Sequence, residues 1–373
     1  MTRKTRLFGA AAVLLLLSMV AAGCPGGVQV AQDWPDLAVD NGIVYAVSGS
    51  PQSVYLVDAE TGVQKSMFSP QIESSGARYW SPVTVGGELA FVGFGVQEAK
   101  TYGLYAFDPA TGQERWSVPA KDFILGAPAY ADGVVYYGSS DGNVYAVDVE
   151  TRSVKTGWPF LAGDAVWGSP LVEAGKVYVA SLDHHLYCLD AQSGAVLWDY
   201  EAKGAMATRP TLDATTGTLY IGDLVGQVNA VKADSGAKVE AFSFQAKNWI
   251  WSEILLSGDR LFVTSLDGNL YTLDPATGDQ LSAPFDGGEV LRAAPVLSGD
   301  TVIVASQEGK VTTVDVKTGV SLRYWPSGLP TTQVLTTPVV VDGVLYVLQV
   351  NGDLVALEAD TSVQKWAFDL TTE

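Results

Sequence analysis

The chain has 373 residues, with 22 Lys and Arg against 41 Asp and Glu, and a formal net charge of −19 at neutral pH. This acidic surplus argues against a nucleic-acid partner and against direct adsorption to anionic lipid, because both need basic surface. The only two cysteines are Cys24 and Cys188, so a single intrachain disulfide is conceivable, and lipid attachment at Cys24 would prevent it.

Residues 1–23 are predicted to be a signal peptide. Three basic residues precede an apolar stretch at 7–22, whose 16 residues are fewer than the ~20 that a membrane span needs. The sequence Ala21-Ala22-Gly23-Cys24 then resembles a bacterial lipobox, which makes Cys24 the predicted lipid anchor. The alternative is an ordinary signal peptide followed by an incidental cysteine.

The mature chain is more acidic than the full chain. Residues 1–23 contain three of the 22 basic residues and none of the 41 acidic ones, so their removal leaves a net charge of −22. We predict an exported, membrane-anchored lipoprotein on the periplasmic side of the outer membrane or on the cell surface. Residues 24–34 would be a short tether, and the membrane would be reached only through the lipid.

A turn of the type Asp-x-x-Thr-Gly recurs along the rest of the chain. Its Ser or Thr stands at eight places: Thr61, Thr111, Thr151, Ser193, Ser235, Thr277, Thr318 and Thr361. The spacings run from 40 to 50 residues, and a period of about 40 to 45 residues is typical of β-propellers, in which one repeat supplies one blade. The sequence therefore predicts an all-β fold, a single eight-bladed β-propeller domain of four-stranded antiparallel blades over residues 35–373.

One repeat illustrates the predicted blade. Strand A is Pro128–Ala131, strand B Val134–Tyr137, strand C Val144–Val147 and strand D Val154–Phe160. Asp-Gly and Gly-Asn pairs between the strands favour tight hairpin turns. The apolar runs are almost continuous, as expected where neighbouring blades bury both faces of each sheet.

The recurrent turn lies between strands C and D. Asp holds its first position in six of eight copies, and Gly follows the Ser or Thr in six. An Asp or Thr side chain can accept hydrogen bonds from backbone N–H groups within a turn, and Gly accepts a positive φ. A ring of calcium ligands or paired acids is the alternative, but repetition in every blade favours turn geometry.

The strand order predicts two unlike faces. The D–A and B–C loops share one face, where variable loops favour binding, and the A–B and C–D turns share the other. Large side chains cluster in the D–A loops just before strand A, with Phe123, Ile250 and Leu291 close by. The candidate partner-binding rim is Tyr79, Trp80, Leu125, Trp167, Trp249, Trp251 and Arg292. Inter-blade packing of these side chains is the alternative.

Two further features fall on the same face. Arg209 and Glu253 occupy matched positions in neighbouring D–A loops, which predicts a salt bridge near the central channel. Blade 2 carries an insertion at residues 93–103, in its B–C loop.

No catalytic or metal-binding residues are predicted. His184 and His185 are the only histidines, and adjacent residues on a strand point to opposite faces, so both do not readily bind one ion. Cys188 stands where other blades have Ala or Thr, which favours a small core residue. The sequence contains no nucleophile motif and no phosphate-binding loop.

The repeat contains Ser-Pro-Val, Asp-Gly, Val-Tyr and Asp-Gly-x-Leu-Tyr-x-Leu-Asp-x-x-Thr-Gly, followed by a Trp. This pattern resembles the repeat of pyrroloquinoline-quinone (PQQ)-type propellers over about residues 35–369. In that family the Trp docks between blades. Blades 2, 4 and 8 keep it as Trp116, Trp198 and Trp366. The other blades carry Ser66, Thr156, Glu240, Ser282 and Arg323 instead, so apolar sheet faces are expected to take over more of the packing.

The resemblance points to two branches. Quinoprotein dehydrogenases bind PQQ over a vicinal cysteine pair with a calcium site, and this chain has no adjacent cysteines, so neither a cofactor nor enzyme activity is expected. The second branch is the short, lipid-anchored BamB-like propeller, a scaffold for assembly of outer-membrane β-barrels. It implies a monomeric, non-enzymatic scaffold with a protein partner in the cell envelope, such as a BamA-like barrel protein. A propeller that binds a cell-surface polysaccharide or another ligand is the alternative, and a quinoprotein dehydrogenase is the third.

Ring closure departs from the BamB-like pattern. In that branch an N-terminal strand completes the last blade, whereas here residues 338–368 supply all four strands of blade 8. The ring would then close through packing of blade 1 against blade 8, or through an edge strand added by residues 28–30.

Overall fold

The computed structural model describes residues 36–49, 52–70, 78–96, 99–324 and 333–371, all within one compact unit, Asp33–Glu373. The signal peptide, Cys24, the tether and residues 28–30 lie outside the described residues, as do the side chains of Tyr79 and Trp80. The described residues contain strands and turns and no helix, and hence no helix that could cross a membrane.

Eight antiparallel sheets follow one another along the chain, which confirms the eight-bladed β-propeller. Blade 1 has β1 (Asp36–Asp40), β2 (Ile43–Gly49), β3 (Gln52–Asp58) and β4 (Gln64–Phe68). Blade 2 has β5 (Arg78–Trp80), β6 (Thr84–Gly86), β7 (Leu89–Val96), β8 (Thr101–Phe107) and β9 (Glu114–Ala120). Blade 3 has β10 (Ala129–Ala131), β11 (Val134–Gly138), β12 (Asn143–Asp148), β13 (Ser153–Val154) and β14 (Phe160–Leu161). Blade 4 has β15 (Leu171–Glu173), β16 (Lys176–Ala180), β17 (His185–Asp190) and β18 (Val196–Glu201).

The second half of the ring repeats the pattern. Blade 5 has β19 (Thr211–Asp213), β20 (Thr218–Gly222), β21 (Gln227–Lys232) and β22 (Phe244–Gln245). Blade 6 has β23 (Leu255–Ser257), β24 (Arg260–Thr264), β25 (Asn269–Leu273) and β26 (Phe285–Asp286). Blade 7 has β27 (Val296–Ser298), β28 (Thr301–Ala305), β29 (Val311–Asp315) and β30 (Ser321–Tyr324). Blade 8 has β31 (Val339–Val341), β32 (Val344–Leu348), β33 (Asp353–Glu358) and β34 (Gln364–Asp369).

Blades 2 and 3 depart from the simple repeat. In blade 2 the insertion lengthens the hairpin of β7 and β8, and β5 pairs with the extra length of β7. In blade 3 the prediction of one continuous strand D is wrong, because β13 and β14 are separate segments that both pair with β12. Trp158 lies between the two segments and is buried, so this interruption places a large side chain between blades.

The recurrent turn is held by its own side chains. In blade 3, Asp148 Oδ1 accepts hydrogen bonds from the Thr151 N–H at 2.7 Å and the Thr151 hydroxyl at 2.9 Å. The same pattern joins Asp190 to Ser193 and Asp315 to Thr318. These carboxylates therefore serve turn geometry, as the repetition favoured.

Acid should weaken the fold through these turns. The Thr151 backbone N–H and hydroxyl lower the pKa of Asp148 below its ordinary value of 3.8. Because the folded pKa lies below the unfolded one, this contribution is complete above about pH 3.8 and is lost as the pH falls further, through the folded pKa. We expect thermal melting followed by circular dichroism to show a falling melting temperature from about pH 4 to pH 2.

Two substitutions in one turn isolate this effect. Asp148→Asn should have a lower melting temperature than wild type at neutral pH. Its melting temperature should also fall less on acidification. Glu150→Gln, in the same turn, is the matched control and should follow wild type. An unchanged acid profile in Asp148→Asn would contradict a role for the turn carboxylates.

Neighbouring blades meet through apolar faces and through aromatic side chains that reach the next C–D turn. The Tyr178 hydroxyl and the Trp198 indole N–H of blade 4 both donate to the Ala233 carbonyl oxygen of blade 5, at 3.0 Å and 3.3 Å. Trp158 takes an equivalent place over the turn of blade 4, since a Cβ on Gly194 would lie 3.3 Å from its Cδ2. Blade 3 therefore keeps an aromatic dock that the spacing of the repeat does not reveal.

The ring closes by direct packing of blade 8 on blade 1. Blade 8 has all four strands from residues 339–369, as predicted. Leu37, Val44 and Tyr55 of blade 1 form one buried cluster with side chains of blade 8. Tyr346 and Trp366 each donate to the Ala59 carbonyl oxygen at 3.1 Å.

Backbone hydrogen bonds establish the two faces. The Leu182 N–H of the blade 4 B–C loop donates a hydrogen bond to the Ala165 carbonyl oxygen of the D–A loop that enters blade 4, at 2.9 Å. On the other side, the Ala191 N–H of a C–D turn donates to the Gly175 carbonyl of an A–B turn, at 2.9 Å. We call the first side the loop face and the second the turn face.

Candidate interaction site at the channel mouth

The D–A loops that enter blades 3 to 8 each insert one apolar side chain between blades. The residue five places before the first residue of strand A is fully buried in these six loops: Ile124, Val166, Met206, Ile250, Leu291 and Val334. Strand B leaves room for it, since a Cβ on Gly222 would lie 2.2 Å from Cγ2 of Ile250. Ile250 and Leu291, which the sequence places close to the candidate rim, therefore pack between blades, as the inter-blade packing alternative expects.

The neighbouring positions of the D–A loops form a cluster of large side chains. The Trp167 and Trp251 ring centroids lie 6.4 Å apart at 58°, and those of Trp249 and Trp251 lie 6.5 Å apart at 22°. The Arg292 guanidinium carbon lies 4.9 Å from the Trp251 ring centroid. We call these four residues the mouth cluster, with Trp251 at its centre.

The cluster spans loops that are not neighbours. Trp167 belongs to the loop entering blade 4 and Trp251 to the loop entering blade 6, so the loop entering blade 5 lies between them. That loop carries Ala207 at the matched position, where a methyl side chain occupies much less space than an indole. Ala207 is the residue whose role the sequence analysis missed, although its small size among larger neighbours was a usable signal.

Burial divides the cluster. Trp167 is only 9% exposed, and its indole N–H is buried without a hydrogen-bond partner among the described residues. Trp249, Trp251 and Arg292 are half-buried, as is Leu125. Trp167 therefore supports the cluster from below, and the other members offer the accessible surface.

Arg292 is fixed in a partly dry environment. Burial lowers the pKa of its guanidinium to about 10, so it remains cationic at neutral pH. Stacking of a guanidinium on an indole face is favourable by roughly 0.5–2 kcal/mol, and more strongly so when water is excluded. The cluster thus presents an apolar platform with one fixed positive charge.

The predicted salt bridge lies beside the cluster. Arg209 Nη1 is 2.8 Å from Glu253 Oε1, and both side chains are partly exposed. Exposed pairs contribute on the order of 0–1 kcal/mol, so this pair orients two neighbouring loops more than it stabilises the fold.

An open cavity of about 470 Å³ lies at the inner strands of blades 5 to 8. Leu256, Leu297 and Val340 contribute to its apolar wall, and Glu253 is the one charged residue among its described lining. The salt bridge therefore marks one side of this cavity.

The histidines and Cys188 lie elsewhere, in blade 4. His184 has a positive φ of 77° in the B–C loop, where other blades have glycine. His185 Nδ1 lies 3.0 Å from Asp199 Oδ2. Cys188 is buried, and burial raises the pKa of its thiol to about 11. Among the described residues, no three His, Cys, Asp or Glu side chains converge as metal ligands would.

Comparison with known proteins places the chain among propellers. The family described as outer membrane protein assembly factor BamB matches residues 50–158, 155–216 and 213–367. The crystal structure of BamB from Moraxella catarrhalis is similar with a TM-score of 0.70 and 19% identity, over 86% of this chain and 92% of that one. A computationally designed protein, Ika8, gives a TM-score of 0.68 at 15% identity, over 90% and 95% of the two chains. No curated protein sequence matches.

A europium-containing methanol dehydrogenase is also similar, with a TM-score of 0.63 and 14% identity over 77% of each chain. At this identity the likeness shows the fold alone. The residues of this chain do not fit the cofactor site that the quinoprotein branch implies. Cys24 and Cys188 are far apart in sequence, Cys188 is buried in β17, and the described residues offer no cluster of three metal-ligand side chains.

Proposed function

Because the chain belongs to the outer membrane protein assembly factor BamB family, we propose that it is a non-enzymatic scaffold of the cell envelope that binds a protein partner through the mouth cluster. The observation that carries this proposal is the half-buried Trp249, Trp251 and Arg292 on the loop face. Trp and Arg are the residue types enriched in interface hot spots, where a few side chains supply most of the binding free energy.

The partner that we propose is a BamA-like barrel protein, met on the periplasmic side of the outer membrane. The mouth cluster suits a protein segment because its surface is apolar and its charged residue, Arg292, is cationic. Trp167 also packs against Trp251 and holds it in place. A preorganised aromatic surface loses little conformational entropy on binding. The acidic remainder of the surface would disfavour wrong partners of the same charge.

Trp251→Ala should weaken partner binding by about 30-fold or more, since loss of a hot-spot side chain typically costs ≥2 kcal/mol. Recovery of the barrel protein from solubilised native membranes, quantified by mass spectrometry, measures the effect. Arg292→Lys should also weaken binding, because a lysine keeps the charge but loses the planar stack on Trp251. Trp251→Ala should change the melting temperature little.

The turn face supplies the control for this experiment. Glu60→Ala lies in the C–D turn of blade 1, and partner recovery and melting temperature should both equal those of wild type. Unchanged recovery in Trp251→Ala and Arg292→Lys would refute the mouth cluster as the partner site. Photocrosslinking from residue 249 to a polysaccharide instead of a protein would support the ligand-binding alternative.

Membrane attachment at Cys24 is the second part of the proposal, supported by the lipobox-like Ala21-Ala22-Gly23-Cys24. Metabolic labelling with a palmitate analogue should mark the wild-type protein and leave Cys24→Ser unmarked. The variant should also move from the membrane fraction to the soluble fraction. Equal labelling of the two proteins, or a soluble wild-type protein, would contradict lipid anchoring.

A further inference from the structure

The outer edge of each blade ends in a strand with no further strand beside it among the described residues. Such an edge carries backbone N–H and C=O groups that point away from the sheet, and these groups can pair with a strand of another chain. Proteins protect such edges by keeping them short, by β-bulges, or by placing charged residues, above all Lys, or Pro in them.

Seven of the eight described outer edges consist of short segments or contain Lys, Arg or Pro. Lys65, Pro119, Arg323 and Lys365 lie in β4, β9, β30 and β34. In blades 3, 5 and 6 the outer strand segments β13, β14, β22 and β26 have two residues each.

The outer strand of blade 4 is the exception among them. β18 has six residues, Val-Leu-Trp-Asp-Tyr-Glu, with no Lys, Arg or Pro. Val196 is 46% exposed and Leu197 is 50% exposed. Valine, tryptophan and tyrosine also favour the extended conformation. β18 is thus a long outer edge whose charged residues are both acidic, with a β-bulge where it pairs with Cys188 and Leu189.

The inner side of β18 is firmly held. Trp198 donates to the Ala233 carbonyl oxygen of blade 5, and the Tyr200 hydroxyl donates to Asn229 Oδ1 at 3.0 Å. Because side chains alternate along a strand, Asp199 and Glu201 face the opposite side, and both are exposed. The free edge is therefore preorganised, with two carboxylates beside two exposed apolar side chains.

We propose that β18 is a docking edge that accepts an extended strand of a partner protein in which apolar and basic residues alternate. Backbone hydrogen bonds to β18 would give affinity, as in other cases of β-strand addition. Because side chains alternate along both strands, lysine or arginine side chains would lie on the side of Asp199 and Glu201, and apolar ones on the side of Trp198 and Tyr200. This surface is separate from the mouth cluster and does not depend on it.

The test uses an eight-residue peptide of alternating lysine and valine, added to the full-length protein at physiological salt. Fluorescence anisotropy measures binding, and hydrogen exchange measures protection of residues 196–201. A second peptide, N-methylated at alternate residues, keeps the charge and side chains but cannot form the ladder. Because the acidic protein attracts both peptides equally, the difference between them reports strand pairing.

We expect saturable binding of the first peptide, protection confined to β18, and at least tenfold weaker binding of the N-methylated peptide. Val196→Lys with Leu197→Lys should weaken binding at least tenfold, without loss of melting temperature, because both side chains are about half exposed. Val363→Lys, just before the already protected β34, is the matched control and should bind as wild type does. Trp251→Ala should also bind as wild type does, which separates this edge from the mouth cluster.

Four results would overturn the proposal: no saturable binding, equal binding of the N-methylated peptide, protection outside β18, or an equal loss in Val363→Lys.

Discussion

Trp366→Ala is expected to lower the free energy of unfolding by about 3–5 kcal/mol, the usual range for removal of a buried tryptophan. The side chain is 9% exposed and lies in the cluster that joins blade 8 to blade 1. It also packs on the C–D turn of blade 1, where a Cβ on Gly62 would lie 2.6 Å from its Cδ2. Its loss removes this contact and the hydrogen bond to the Ala59 carbonyl together.

Chemical denaturation with two probes measures this prediction: circular dichroism for the whole sheet structure and hydrogen exchange for blades 1 and 8. Trp249→Ala is the matched control, because Trp249 is half-buried at the mouth and outside the inter-blade clusters, and it should change stability much less. If the two substitutions had equal effects on unfolding, the closing role of Trp366 would be disproved.

Trp167→Ala is expected to cost a similar amount, about 3–5 kcal/mol of stability. The sequence left two readings of this residue open: a place in the candidate rim, where only partner binding should suffer, or packing between blades. Its burial and its contact with Trp251 now predict a cavity beneath the mouth cluster. Trp251, left without support, should then bind partner less well as a secondary effect.

Trp167→Phe distinguishes support from direct contact. Phenylalanine keeps an aromatic ring against Trp251 and, since the indole N–H has no hydrogen-bond partner among the described residues, loses no hydrogen bond. We expect it to recover most of the stability, measured by thermal and urea unfolding, and most of the partner binding. A melting temperature of Trp167→Ala equal to that of wild type would show that the side chain belongs to the exposed rim after all.

The repeat made the fold predictable because each blade restates the same turn chemistry. Asp148 with Thr151 and Asp190 with Ser193 are local interactions, so the spacing of a few residues already contains them. Trp158 was not predictable in this way, because it reaches the next blade from an interrupted strand outside the repeat position.

The location of the candidate site could be predicted from the sequence better than the burial of its side chains. Period and loop order placed Trp167, Trp251 and Arg292 at matched positions of the D–A loops, and in the structure Trp251 contacts both of the others. They did not reveal that Ile250 is inserted between blades while its neighbours Trp249 and Trp251 are not. That difference depends on the space beside Gly222 in strand B, a contact between separate strands that periodicity along one segment does not report.

The way the ring closes also bears on how the chain is made. Leu37, Val44 and Tyr55 of blade 1 pack against a face of blade 8 that is formed by residues 339–370. During synthesis, that face of blade 1 appears first and the face of blade 8 that covers it appears last. This apolar surface of blade 1 therefore stays exposed to solvent until the other seven blades have formed, and transiently exposed apolar surface promotes aggregation. Any factor that shields the nascent protein should act on blade 1, and its release should coincide with the arrival of blade 8.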